Sequence, residues 1–195
     1  MRFIVATVLV FLNTSASGAL PTVDSKWVDG WISSRVESDA LGVQCSITKK
    51  FPDKTEIVIE MVPSGAGTLR FTNEDWKSLA NAADTNSRGD MTLPVRIEFG
   101  DEQPKELLET FNVFVSQYAV RPPSIYKHFT RDSFMAMAKD FAETSTVHVY
   151  HSGWRKVGTW SVTGAKAATV SLMSCVRDEL VKTQQQQAND PFRDQ

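Results

Sequence analysis

The sequence predicts an α+β, β-rich fold: an antiparallel sheet or sandwich with one internal helix and a C-terminal helix tied to an early strand by a disulfide. Three observations predict it. Several runs before residue 100 alternate apolar and polar residues, the two-residue period of a half-buried strand. Two later segments repeat their apolar residues at three- and four-residue spacing, the period of an amphipathic helix. The two cysteines, Cys45 and Cys175, fall in one segment of each kind.

The chain opens on what reads as a secretory leader. Arg2 supplies a positive start, and residues 3–12 are apolar except for Thr7. Residues 13–19 are small and polar, and both Ala16-Ser17-Gly18 and Ser17-Gly18-Ala19 fit a small-x-small cleavage rule. The apolar run is too short to anchor stably across a bilayer, and no cysteine stands just after either cut to take a lipid. The expectation is an exported chain, periplasmic or secreted, cut near Ala19 and without a stable membrane anchor. Removing 19 of the 195 residues leaves about 176, within single-domain size. The organisation expected is a signal peptide at 1–19, one domain at 20–183 and a flexible polar tail at 184–195.

Within the domain, residues 41–49 alternate, with Val43, Cys45 and Ile47 on one face and Gln44, Ser46 and Thr48 on the other. Phe51-Pro52-Asp53-Lys54 is a turn, because proline presets the backbone and aspartate tolerates the bend. Residues 55–61 alternate again, sending Ile57, Ile59 and Met61 inward and Glu56 and Glu60 outward, with Val58 as the exception. These two runs predict a hairpin. A loop at 62–67 precedes a short strand, 68–72, with Leu69 and Phe71 inward. Thr72 or Asn73 is placed to cap a brief helix through Trp76 and Leu79, and residues 83–90 are polar and irregular. Leu93, Val95, Ile97 and Phe99 mark another strand, whose Pro94 points to an edge or a bulge. Residues 106–120 read two ways: Leu107, Leu108 and Phe111 suit a helix start, whereas residues 111–115 alternate. Strand is preferred from Phe111 onward.

Arg121-Pro122-Pro123 stops that run. Thr130 is expected to cap a helix over Arg131–Glu143, whose Phe134, Met137, Ala138 and Phe141 lie on one face. Residues 146–150 and 154–162 flank Ser152-Gly153 as a second hairpin. Thr163 begins the last helix, where Ala165, Ala168, Leu172, Cys175 and Val176 form one stripe. That stripe lays Cys175 against the sheet face bearing Cys45. Two cysteines allow one pairing, and in an oxidising compartment a disulfide is the default. Free thiols are the reading for a reducing cytosol, and a redox-active pair lacks the close C-x-x-C spacing. Closing a loop this long contributes roughly 5 kcal/mol in the chain-entropy treatment.

The closing segment Gly158-Thr159-Trp160-Ser161-Val162-Thr163-Gly164-Ala165-Lys166-Ala167-Ala168, followed by Leu172 and Cys175, runs from strand through a small-residue turn into an alanine-rich helix. It resembles a group of bacterial exported and periplasmic proteins, and is loosely similar to the invasion-associated locus B family. The likeness covers the leader, residues 31–45 and the C-terminal segment; that family's additional cysteines are missing here. The resemblance implies an exported, disulfide-closed bacterial envelope protein and carries over no catalytic residue.

The chemistry-bearing residues have bland readings. Formal net charge is −2, or −3 once Arg2 is removed, and no Lys/Arg cluster exceeds two residues, which argues against a nucleic-acid partner. His148 and His151 are offset by three on a strand and so face opposite ways, and His128 lies elsewhere, so no metal site is expected. Ser152 beside His151 is a turn residue, and no G-x-S-x-G elbow occurs. Glu74-Asp75 and Asp101-Glu102 suit capping and solvent. Gly65-Ala66-Gly67 lacks the Lys-Ser/Thr of a phosphate cradle. Arg88-Gly89-Asp90 spells an adhesion tripeptide too short to carry weight.

Of the five tryptophans, most are expected in the core. Trp27, Trp31 and Trp154 sit in polar surroundings, and with Arg155 they are the candidate partner contacts. The functional expectation is therefore a non-enzymatic envelope protein acting as a binding or interaction module. Its partner would be another envelope or secreted protein, and no cofactor is implied. A host-interaction or adhesion factor, or an envelope hydrolase without a recognisable motif, are the alternatives.

Overall fold

The alternating runs assemble into one antiparallel sheet. The computed structural model describes residues 22–38, 42–76, 83–85, 91–115, 122–151 and 155–188; the expected leader lies outside them. The elements are β1 (Thr22–Val28), β2 (Trp31–Ser38), β3 (Gly42–Lys50), β4 (Glu56–Met61), β5 (Gly67–Thr72), the two-residue β6 (Asp84–Thr85), β7 (Met91–Phe99), β8 (Lys105–Phe114) and β9 (Ser124–Phe129). Helix α1 (Arg131–Glu143), β10 (Thr146–His151), β11 (Arg155–Ser161) and helix α2 (Ala165–Ala188) complete the order. The strands lie side by side as β1-β2-β3-β4-β5-β9-β8-β7-β10-β11, with β6 paired to β7.

This sheet cannot be flat. Laid out flat, β5 and β11 would be about 24 Å apart, five strand spacings of roughly 4.8 Å. The rings of Phe71 on β5 and Trp160 on β11 have centroids 5.9 Å apart. The late strands therefore curl back over the early ones, continuing the twist that strands carry intrinsically. Helix α1 lies inside the bend, where Phe141 meets Trp31 of β2 edge-on at 5.5 Å and Phe99 of β7 at 6.4 Å. The residues expected inward, Cys45, Ile47, Ile57, Ile59, Met61, Leu69 and Phe71, are all buried there.

The two helices follow their stripes. Phe134, Met137, Ala138 and Phe141 of α1 are buried, as are Ala165, Ala168, Leu172 and Val176 of α2. Cys175 on α2 is bonded to Cys45 on β3, with Cα atoms 6.1 Å apart, inside the range a disulfide spans without distorting backbone. Beside it Glu179 of α2, 5% exposed, takes a two-pronged hydrogen bond from Arg35 of β2 at 2.7 and 3.1 Å. Covalent and ionic links thus hold α2 across β2 and β3.

Several expectations need correcting. β8 is strand from Lys105, not from Phe111, because Leu107, Phe111 and Val113 turn inward at period two while Leu108 faces solvent. Ser124–Phe129, to which the sequence pattern assigned no element, is a central strand between β5 and β8. The pair Asp29-Gly30, with φ of 48° and 82°, makes a two-residue hairpin turn between β1 and β2 that sequence reading passed over. Thr130 stands at the N-cap of α1, but its hydroxyl bonds the Ser133 hydroxyl at 2.9 Å instead of a backbone amide. Helix α2 continues to Ala188, five residues into the expected tail. Pro94 is tolerated in β7 because pairing to β10 stops at Val95, leaving β8 as its ladder neighbour.

Candidate functional site

Alternation that sends Ile57, Ile59, Leu69 and Phe71 into the core necessarily sends their neighbours to the opposite face. On that outer face, β3, β4, β5 and β9 lie in register. Thr48, Val58, Arg70 and Tyr126 form one cross-strand row, and Ser46, Glu60, Thr68 and His128 form the next. The twist of the four strands dishes this surface into a groove of about 460 Å³.

Val58, the residue that broke the alternation of β4, is the floor. It is 6% exposed although it faces away from the core, because the flanking side chains stand over it. Arg70 donates from Nη2 to Glu60 Oε1 at 2.8 Å. Its Nε is buried and makes no hydrogen bond among the described residues, so the guanidinium keeps an unused donor inside the groove wall. Thr68 Oγ1 and His128 Nδ1 are 2.8 Å apart, and the Tyr126 and His128 rings meet edge-on at 5.3 Å. The groove therefore presents hydroxyls, one guanidinium–carboxylate pair and the rings of Phe114, Tyr126 and His128 around an apolar floor, the mix found where a ligand is oriented by a few polar groups.

Its catalytic means are slight. Thr68 with His128 is the nearest approach to a hydroxyl and base, yet the carboxylate beside them, Glu60, is held by Arg70 and does not orient the imidazole. Among the described residues, no three His, Cys, Asp or Glu side chains converge to hold a metal ion.

Two other concavities differ in kind. In the cleft of about 290 Å³ between β1, β2 and α2, Arg35 is held by Glu179 and Ser33 by Ser171, and Asp24 and Lys26 of β1 also line it. Hydrogen bonding from Arg35 holds the Glu179 carboxyl at about 2 despite the opposing effect of burial. That is a structural clamp. The furrow between α1 and α2, about 730 Å³, carries Lys139, Lys166 and Arg177 and is lined by no aromatic ring.

The three candidate contact residues that are described, Trp27, Trp31 and Arg155, are not gathered together. Trp27 on β1 is 76% exposed. Trp31 is the correction: it is fully buried against Phe141, its indole N–H donating to Thr163 O at 3.2 Å, and so is unavailable to a partner. Its polar sequence neighbours misled because Asp29 and Gly30 belong to the turn and Ser33, on the same face as Trp31, is itself buried against Ser171 of α2. Arg155 is exposed at the start of β11, the far end of the strand order from β1, and Trp154 lies outside the described residues, as does Arg88-Gly89-Asp90. His148 and His151 do face opposite ways. His148 pairs with Asp101 at 2.9 Å, while His151 aligns with core Val95, and burial lowers its pKa. Reading the sequence missed Arg70, Tyr126 and His128 as a group, because β9 comes beside β5 only through tertiary pairing. The one available signal was Val58, an apolar residue on a polar face.

No protein-family model, curated protein or solved structure matches this chain.

Proposed function

We propose that this protein is an extracytoplasmic binding module, not an enzyme, and that the outer-face groove between β3 and β9 holds its partner. The observation that carries this reading is the groove itself: an apolar floor at Val58 ringed by polar groups, with the Arg70 Nε, unpaired among the described residues, in its wall. A disulfide fits an oxidising location. The partner would be another envelope or secreted protein, in keeping with the leader and with the likeness to the invasion-associated locus B family. The guanidinium and hydroxyls suit a segment offering carbonyl or carboxylate oxygens.

The test is affinity capture from envelope extracts with the oxidised protein beside its Arg70→Glu and Tyr126→Ala variants. A protein retained by the parent and lost by both variants supports the reading. A ligand retained equally by all three, or turnover of envelope polymer abolished by His128→Ala, overturns it.

A further inference from the structure

β1 ends the sheet, and among the described residues its only strand neighbour is β2. It carries the two most conspicuous apolar exposures of the early strands, Trp27 at 76% and Val23 at 56%. We propose that two copies of this chain pair antiparallel through β1, about a two-fold axis at Ser25.

The main chain is ready for it. Val28 and Trp31 flank the Asp29-Gly30 turn, and residues flanking a two-residue turn exchange both hydrogen bonds. Alternation along the ladder then turns the N–H and C=O of Val23, Ser25 and Trp27 away from β2, to the side where no other described strand pairs with β1. The register from Thr22 to Val28 is unbroken, with no bulge and no proline. These are two of the devices by which edges are commonly blunted, and β1 lacks both.

The side chains fit the same axis. With Ser25 opposite Ser25 of the second copy, Val23 falls opposite Trp27 and Asp24 falls opposite Lys26, each pair occurring twice. Any other register that keeps the alternation breaks one of these matches. Lysine on an edge strand ordinarily guards against pairing, but here it meets a carboxylate. Asp24 is free to answer it, since its nearest cation is Arg35 Nη1 at 4.0 Å and that guanidinium is already held by Glu179 at 2.7 Å. Val23 and Trp27 sit on the outer face and Asp24 and Lys26 on the helix side, so the apolar and ionic pairs do not compete. The axis is perpendicular to the sheet, which places both outer-face grooves on the same side of one continuous surface. The pairing stands whether or not those grooves bind a partner.

Sedimentation equilibrium on the oxidised full chain, expressed with its own leader, tests the pairing. The parent is expected to dimerise. Lys26→Asp and Asp24→Lys each set like charges opposite one another twice per dimer and should weaken it by about tenfold. The double exchange Asp24→Lys/Lys26→Asp restores opposite charges and should recover the parent affinity. Ser25→Cys should cross-link under mild oxidation, because a hydrogen-bonded antiparallel pair brings Cα atoms to about 5.5 Å; Val23→Cys, facing Trp27, should not. Melting curves check that each variant folds. A parent that stays monomeric up to its solubility limit overturns the proposal, including the case in which β1 takes a strand from a different protein. So does a double exchange no better than the single ones, or a Val23→Cys dimer that forms as readily as Ser25→Cys.

Discussion

Trp160 on the last strand donates its indole N–H to Asp53 Oδ2 at 2.9 Å, bridging 107 residues of sequence. Asp53 sits in the β3–β4 turn, where its other oxygen accepts from the Thr55 amide at 3.0 Å. Asn73 donates to Asp53 O and to Thr55 Oγ1, both at 2.9 Å. One turn therefore ties β11 to the β5 end through side chains, at the place where Phe51, Phe71 and Trp76 surround the Trp160 ring.

Burial raises the pKa of Asp53, but the hydrogen bonds from Trp160 and Thr55 outweigh it and leave the carboxyl below its usual range. Trp160→Phe removes one of those donors while keeping a ring. The Asp53 pKa, followed by NMR, should rise. A lowered folded pKa means that this stabilisation is present above the ordinary carboxylate range and lost as pH falls. The variant should therefore lose about 1 kcal/mol at neutral pH and less in acid.

Replacing Cys45 by serine should lower stability by roughly 2–5 kcal/mol in non-reducing buffer. Reductant should bring the parent down to the level of the variant and leave the variant unmoved. Calorimetry with and without reductant reads both.

Glu179→Gln leaves the Arg35 guanidinium without its buried carboxylate and should cost about 2–3 kcal/mol at neutral pH. In the parent, the folded carboxyl titrates at about 2 against an ordinary 4.5. The ionic contribution is therefore complete above pH 4.5 and lost as pH falls toward 2, at most about 3 kcal/mol. Denaturant melts across that window should show the parent's stability falling and the variant's staying flat by comparison.

Gly164→Ala and Gly30→Ala separate strain from packing. Both glycines have positive φ, 87° and 82°. A Cβ on Gly164 would lie 2.0 Å from Asp29 O, whereas one on Gly30 meets nothing within 4 Å. Gly30→Ala should cost the backbone term alone, roughly 1 kcal/mol. Gly164→Ala should cost clearly more, since the β1–β2 turn must move off the start of α2, and thermal melts of the pair measure the difference.

Legibility varied along the chain for physical reasons. Helix α1 was readable to its ends because Phe134, Met137 and Phe141 repeat on one face. β9 was not, because Lys127 takes an inward-facing position, across from core Leu69, and is neutralised there by Glu109 at 2.8 Å. That charge erased the alternation of Ile125 and Phe129. The β1–β2 hairpin carries its local signal in Asp29-Gly30, whose positive φ angles suit a two-residue turn. Trp31 and Trp27 have similar neighbours in sequence, and the opposite fates of the two rings follow from a parity that only the register sets.

By itself the sequence determined which segments are strand or helix over most of the described chain, which face of β3, β4, β5, α1 and α2 turns inward, and that Cys45 has one possible partner within the chain, Cys175. These are properties of local period and of a two-member set. Only the tertiary structure decided that β9 inserts beside β5, that the late strands curl over the early ones, and that Val58, Arg70, Tyr126 and His128 share one groove. Those outcomes depend on pairing between strands distant in sequence, where backbone hydrogen bonds are indifferent to residue identity and the choice is made by how the apolar faces close around α1.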